Sequence, residues 1–127
     1  MSIEWKLENN NLILIRVSGK LGIEEHRRTL SEMGSVVQNA GKIKLLILLN
    51  DFEGWENPED WEKIEDLEEN SAMDRMDPYI KKFAIVGEEK WRDGVSLFTL
   101  KGLRPFPVEY FTKDQEEIAR QWLDSDS

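Results

Sequence analysis

The sequence predicts an α/β domain in the order ββαβαβαβα, with a five-stranded, mostly parallel sheet and four helices. Strand-length apolar segments recur along the 127 residues and alternate with segments whose apolar residues have helical spacing. Such alternation is typical of parallel strands joined by right-handed helical crossovers. Because no linker, repeat or low-complexity stretch divides the chain, residues 1–127 are predicted to form one domain.

The first two strands are predicted to form a hairpin. In "IEWKL", Ile3, Trp5 and Leu7 alternate with polar residues, which indicates a strand with one buried face. The turn at 8–11 is rich in asparagine, a residue that tolerates left-handed backbone geometry. Residues 12–17, "LILIRV", read as apolar on both faces and therefore predict an interior strand.

The first helix and the third strand come next. Apolar or semi-apolar residues recur at helical spacing up to Gly41, which is predicted to end the helix. This stripe consists of Ile23, His26, Leu30, Met33, Val37 and Ala40. The continuous apolar run at 43–49 predicts a third strand that is covered by helices on both faces.

The second helix is predicted to begin at Asn57 and Pro58, because asparagine caps a helix and proline fits its first position. It is expected to run to about Met76 and to stop before Pro78. Residues 80–87, "IKKFAIVG", then predict the fourth strand.

The C-terminal third of the chain completes the pattern. Residues 88–100 suit a third helix, and residues 106–111 predict a last strand at an edge of the sheet, since Pro107 has no amide donor. Asp114 and Glu117 resemble a capping box at the start of the fourth helix. Its inward-facing residues are predicted to be Ile118, Ala119, Trp122 and Leu123.

The acidity of the chain belongs to one segment. Residues 51–70 contain ten carboxylates and one lysine, so they carry the same net charge of −9 as the whole chain. An acidic chain repels phosphate backbones, which argues against nucleic acid as a partner. The N-terminal sequence lacks the pattern of a signal peptide, and no apolar run approaches membrane-spanning length. We therefore expect a soluble cytoplasmic protein.

The sequence contains no catalytic signature and predicts a protein that is not an enzyme. There are no cysteines, which excludes disulfides and thiol nucleophiles. A calcium loop counted from Asp51 would need glycine at its sixth position, where Glu56 stands, so no metal or other cofactor is predicted. His26, the one histidine, has no nucleophile context and is interpreted as a structural or surface residue.

Several separated blocks of the sequence resemble the SpoIIAA-like family of small bacterial proteins. The blocks are "VSGKLGIEE", "LLILLNDFEGW", "FAIVGEEKW", "PVEYF" and "EEIARQWL". This family is related in fold to anti-sigma-factor antagonists (STAS domains) and to CRAL-TRIO lipid-binding domains. The resemblance implies the same five strands and four helices. Phosphorylated STAS domains carry a serine in the loop after the third strand, but residues 50–58 contain no serine or threonine, so the resemblance implies that this switch is lost.

The first functional hypothesis is a non-catalytic module that binds a small apolar or lipid-like ligand between the predicted second and third helices. The thin, charge-interrupted stripe of the second helix suggests a movable cover over the apolar residues of the third. The candidate ligand-binding residues are Trp55, Trp61, Ile64, Leu67, Trp91, Val95 and Phe98. The competing interpretation is that these aromatics simply close the core of a small domain.

Two further partners are predicted. One is a membrane surface, in weak peripheral contact with the cations Lys101 and Arg104. The apolar residues of this contact would be Leu100, Leu103 and Phe106. The second functional hypothesis is a protein-interaction or regulatory module of STAS type without the usual serine, with a homodimer through an apolar helix face as one form of it.

Overall fold

The computed structural model describes residues 3–8, 11–55, 77–94 and 106–125. The strands are β1 (Ile3–Glu8), β2 (Leu12–Leu21), β3 (Ile43–Trp55), β4 (Ile80–Gly87) and β5 (Val108–Thr112). The first helix is Ile23–Ala40 and the C-terminal helix is Glu116–Asp124. Single 3₁₀ turns cover Asp77–Tyr79, Glu89–Trp91 and Lys113–Gln115, and residues 92–94 are the α-helical start of the predicted third helix. The predicted second helix lies outside the described residues, as does the end of the predicted third helix.

The five strands form one mixed sheet in the order β1-β2-β3-β4-β5. β1 is antiparallel to β2, and the other neighbouring pairs are parallel. This arrangement confirms the predicted fold class, the predicted hairpin and the edge position of the last strand.

The sheet carries a hydrophobic layer on each face. On one face, Ile13 and Leu45 belong to a buried cluster with Val37 of the first helix. On the opposite face, Leu14 and Leu46 belong to a second cluster with the C-terminal helix. Adjacent residues of a strand point to opposite faces, so β2 and β3 must be apolar at consecutive positions. The prediction of two interior strands is therefore confirmed.

The first helix has the predicted bounds. It ends at Gly41, whose φ of 83° is a left-handed conformation that favours glycine and whose amide donates to Val37 O at 3.2 Å. Glu24 and Glu25 lie in the first turn, where carboxylates complement the positive end of the helix dipole. Met33 and Val37 are buried against the sheet.

Both interior strands extend beyond their predicted ends. β2 was predicted to stop at Val17 and β3 at Leu49, but the two strands continue to pair until Leu21 lies opposite Trp55. The polar residues in these extensions resemble loop residues in sequence. Two register shifts, each with an additional residue in β3, allow the strands to remain paired through this polar stretch.

The structure corrects two predictions of buried apolar residues. Leu7 in β1 is 48% exposed and Ile118 in the C-terminal helix is 51% exposed. The C-terminal helix is only nine residues long, and it buries Ala119 and Leu123, one turn apart, against the sheet. Ile118 lies outside this narrow stripe because consecutive helical residues differ by about 100° in direction.

The entry into the C-terminal helix also differs from prediction. The reciprocal cap forms two residues earlier than Asp114, at Thr112, whose amide donates to Gln115 Oε1 at 3.1 Å. Asp114 instead accepts a hydrogen bond of 2.6 Å from the Thr112 hydroxyl. A 3₁₀ turn at Lys113–Gln115 therefore precedes the helix.

The C-terminal helix is fixed by a buried lysine. Lys82 in β4 is 2% exposed, and its Nζ donates to Trp122 O and Ser125 O at 2.8 Å each and to Ser125 Oγ at 2.6 Å. Its ammonium also lies 4.9 Å from the centroid of the Trp122 ring. A cation at this position complements the negative end of the helix dipole and adds a donor to the carbonyls at the end of the helix.

Candidate functional site

β2 and β3 form a two-stranded ribbon at the carboxyl end of the sheet. β3 pairs with β4 only as far as Leu48, whereas its pairing with β2 continues to Trp55. Gly19, Asp51 and Gly54 have φ values of 64°, 55° and 104°, which supply the left-handed geometry that the two bulges require. We call residues 18–21 and 50–55 the ribbon.

The ribbon separates charged from aromatic residues. Asn50, Asp51 and Glu53 are exposed, while Phe52 and Gly54 are buried. The alternation explains why carboxylates and large aromatics are interleaved at the start of the acidic segment. The carboxylates stay in solvent and the aromatics cover the core.

Three aromatic rings pack together beneath the ribbon. The Phe52 ring centroid lies 5.3 Å from that of Trp55 and 4.9 Å from that of Trp91. The two tryptophan rings have centroids 6.1 Å apart and planes at 85°. All three contacts are of the edge-to-face type, in which the positive ring edge meets the negative ring face. We call these residues the aromatic trio.

Each tryptophan also packs against a glycine beside the other. A Cβ on Gly54 would lie 3.4 Å from Cη2 of Trp91, and a Cβ on Gly94 would lie 3.4 Å from Cη2 of Trp55. The two indoles therefore lie directly over backbone, which makes the contact between the ribbon and the turn after β4 a close one. The indole nitrogen of Trp91 is buried and has no hydrogen-bond partner among the described residues.

The turn that carries Trp91 is held by Tyr110 of β5. The Tyr110 hydroxyl donates to Glu88 O at 2.6 Å, and the Trp91 amide donates to the same carbonyl at 3.1 Å. A Cβ on Gly87 would lie 2.7 Å from the Tyr110 hydroxyl oxygen, so only glycine fits there. Burial raises the pKa of Tyr110 to about 12, so the hydroxyl keeps its proton at neutral pH.

Arg92 also stabilises this turn, through contacts with Glu89 and Tyr110. Its guanidinium makes two hydrogen bonds of 2.8 and 2.9 Å to the Glu89 carboxylate. It also lies 5.1 Å from the centroid of the Tyr110 ring. The hydrogen bond to Arg92 lowers the pKa of Glu89. Tyr110 and Arg92 were not among the predicted site residues, and "PVEYF" gives no local signal that its tyrosine reaches the preceding strand's turn.

The structure brings two of the seven predicted ligand-binding residues together. Trp55 and Trp91 are in direct contact, and their role in binding a ligand stays a prediction. The other five lie outside the described residues, namely Trp61, Ile64, Leu67, Val95 and Phe98.

The predicted membrane contact lies largely outside the described residues, where Leu100, Lys101, Leu103 and Arg104 fall. Phe106 is described and does not face solvent. It is buried in the core, with its ring centroid 6.4 Å from that of Phe83, so it is removed from the proposed contact. No helix within the described residues combines the length and the apolar content that crossing a bilayer requires.

His26 lies half-buried in the first helix. Desolvation lowers its pKa from 6.5 to about 4, so the imidazole is neutral at physiological pH. Within residues 3–8, 11–55, 77–94 and 106–125, no three acidic or histidine side chains are grouped so that they would hold a metal ion.

Comparison with known proteins gives one family. A family model described as SpoIIAA-like matches residues 12–124. The structure is similar to the crystal structure of an uncharacterized protein from the DUF3478 family with a SpoIIAA-like fold from Shewanella loihica, with a TM-score of 0.66 and 16% sequence identity. The superposition covers 95% of this chain and 91% of that chain, and at this identity it supports the fold alone. No curated protein matches the sequence.

Proposed function

Because the chain belongs to the SpoIIAA-like family, we propose that it is a non-catalytic protein-interaction module whose contact surface is the exposed side of the ribbon. The family fold supports a protein-interaction or regulatory role. The observation that carries the choice of surface is the exposure of Asp51 and Glu53 on a ribbon whose Phe52 and Trp55 pack with Trp91 in the aromatic trio.

A rigid surface favours binding because little conformational entropy is lost on association. The ribbon backbone is held by pairing between β2 and β3 and by the packing of Trp91 on Gly54. The backbone positions that carry Asp51 and Glu53 are therefore held relative to each other. Their chemistry fits a partner with a basic surface, and such complementarity mainly raises the association rate and makes binding sensitive to salt.

The proposed interaction does not depend on phosphorylation of this region. Residues 50–58 offer no hydroxyl side chain, whereas Asp51 and Glu53 carry negative charge at neutral pH without modification. The module would therefore bind its partner constitutively. This property separates the proposal from an ordinary phosphorylation-controlled STAS switch.

Affinity capture from the native cells tests the proposal with a neutral double variant, Asp51→Asn with Glu53→Gln. Asparagine tolerates the φ of 55° at position 51, so the variant removes charge and keeps the backbone. The matched control is Asp124→Asn with Glu117→Gln, which removes the same number and kind of charges from the C-terminal helix. We expect a salt-sensitive partner that the wild type and the control retain and that the ribbon variant loses.

Phosphatase treatment of the captured chain is the second arm of this experiment. The partner should stay bound after treatment. The proposal fails if the wild type captures no partner, if both double variants retain it equally, or if dephosphorylation releases it.

A small apolar or lipid-like ligand at the aromatic trio is the second candidate function. The observation that favours it is the buried Trp91 indole N–H, which an acceptor atom on a ligand would satisfy. A ligand at this place must displace part of the packing between each tryptophan and its glycine. Trp61, Ile64, Leu67, Val95 and Phe98 stay predicted members of this site.

Oleate is a suitable probe for the second candidate. If it binds at the trio, it should raise the melting temperature in proportion to the logarithm of its concentration, and Trp91→Phe should weaken the response because phenylalanine lacks the indole N–H. Trp122→Phe is the control, since Trp122 packs on Phe111 on the other face of the sheet. Equal responses of the two variants, or no response of the wild type, would exclude this site.

A further inference from the structure

β1 is an outer strand of the described sheet, with β2 as its one neighbour. The Ile3 amide donates to Glu25 Oε2 of the first helix at 3.3 Å, which indicates that this amide points to the open edge. In an antiparallel pair, the N–H and C=O groups of alternate residues point to the same side. The backbone groups of Ile3, Trp5 and Leu7 are therefore directed to the edge where a further strand would add.

The charges on β1 alternate in sign. Glu4, Lys6 and Glu8 lie opposite Arg16, Leu14 and Leu12 of β2, so they share the face of the C-terminal helix. An edge strand whose charged side chains all have the same sign repels a second copy of itself. A strand with alternating acidic and basic residues can instead complement itself.

Self-complementarity selects one register. If two copies of β1 pair antiparallel about Trp5, Glu4 lies opposite Lys6 of the partner subunit and Lys6 lies opposite Glu4 of the partner subunit. A register centred on Lys6 would place like charges opposite one another, which destabilises a strand pair. In the Trp5-centred register the Glu4 and Lys6 positions of both copies form two opposite-charge pairs, and Glu8 lies at the end of each strand, outside these pairs.

The same register covers the exposed apolar residue of β1. Leu7 is 48% exposed, and in the Trp5-centred register it lies opposite Ile3 of the partner subunit. Both residues lie on the face of the first helix, because they stand opposite Ile13 and Val17 of β2. The side chain of Lys6 is 62% exposed and 3.6 Å from Glu8, a surface ion pair that is easily exchanged for a new one.

We propose that β1 pairs antiparallel with β1 of a second copy of this chain, with Trp5 at the two-fold axis. The two five-stranded sheets then form one continuous sheet. The Leu7 carbonyl of the partner subunit replaces Glu25 as the acceptor for the Ile3 amide. This interface is separate from the ribbon and does not depend on the function proposed for it.

Charge reversal tests the interface by sedimentation velocity of the full chain over a range of concentrations. We expect a concentration-dependent dimer that Glu4→Lys and Lys6→Glu each weaken at least tenfold. The combined variant, Glu4→Lys with Lys6→Glu, should dimerise as well as the wild type, because both cross-strand pairs are restored with reversed sign. Glu117→Lys on the C-terminal helix is the control for the change in net charge, and thermal melting establishes that each variant is folded.

A disulfide provides an independent measurement, since the chain has no cysteine of its own. Trp5→Cys should form a disulfide-linked dimer under mild oxidation, because residue 5 meets its own copy at the axis. Glu8→Cys should not, because the two copies of residue 8 lie at opposite ends of the paired strands. A wild type that is monomeric at all concentrations, a Glu4→Lys variant that still dimerises, a combined variant that stays monomeric, or equal cross-linking at both positions would each overturn the proposal.

Discussion

Trp55 and Trp91 each pack against a glycine that lies close in sequence to the other tryptophan. Their ring centroids are 6.1 Å apart and their ring planes meet at 85°. Trp55 ends β3 and lies against Gly94, while Trp91 follows β4 and lies against Gly54. This reciprocal contact joins the ribbon to the turn after β4. At Gly54 the positive φ adds a backbone requirement for glycine to this contact.

Gly54→Ala should destabilise the protein by about 1–2 kcal/mol or more. Its φ of 104° is unfavourable for any residue with a Cβ, and that Cβ would lie 3.4 Å from Cη2 of Trp91 with little free space around it. Gly34→Ala is the control, because it lies inside the first helix with no atom within 4 Å of the added Cβ, and it should stabilise by about 0.5–1 kcal/mol. Urea unfolding measures both, and equal effects would contradict the packing described here.

Leu46→Asp should destabilise by several kcal/mol. Leu46 is fully buried in β3, in the hydrophobic layer under the C-terminal helix, so a carboxylate there is either desolvated without a partner or kept protonated. Ile118→Asp on the exposed side of the C-terminal helix should change the free energy of unfolding by about 0.5 kcal/mol or less. An unchanged melting temperature for Leu46→Asp would show that β3 is not an interior strand.

Lys82→Met should loosen the C-terminal helix. Methionine keeps the apolar stem but leaves the Trp122 and Ser125 carbonyls without their shared donor, a loss of about 1–3 kcal/mol. Relative to the wild type, the variant should show a larger increase in the hydrogen-exchange rate in residues 120–125 than in β3. Lys113→Met, which removes only an exposed ion pair with Glu88, should leave this exchange unchanged.

Tyr110→Phe should remove a component of the pH dependence of stability. The pKa of Tyr110 is raised from 10 to about 12 by burial, so the unfolded state loses this proton first as the pH rises. The stability contribution is fully present below pH 10 and is lost between pH 10 and 12. Urea unfolding at pH 9 and pH 11 should give a smaller difference for the variant than for the wild type. Tyr79→Phe, in the turn before β4, serves as the control.

The fold was predictable because its main signals are local. The continuous apolar run of β3 and the helical stripe ending at Gly41 each follow from sequence spacing alone. The ends of β2 and β3 were not predictable in this way. Asn50, Asp51 and Glu53 are typical loop residues, and only their pairing with β2 through two bulges makes them part of a strand.

The aromatic residues of the candidate site could be predicted from the sequence, but the residues that hold them in place could not. Trp55 and Trp91 stand out because large apolar residues beside charges are unusual. The contributions of Gly94 and Tyr110 depend on contacts between distant segments, which spacing does not reveal. Lys82 was missed for a related reason, since lysine is rarely buried and its acceptors lie about forty residues later in the chain.

The sheet order, in which each strand neighbours the next one in the chain, also has a consequence for the sequence of events in folding. The part of the sheet from β1 to β3, together with the first helix, contains no residue beyond Trp55. We therefore expect this part to assemble while the later part of the chain is still being synthesised. The C-terminal helix behaves differently, because Arg120 reaches Glu8 across 112 positions of the chain. We expect its docking to come last, and until then the face of β2 and β3 that carries Leu14 and Leu46 stays uncovered.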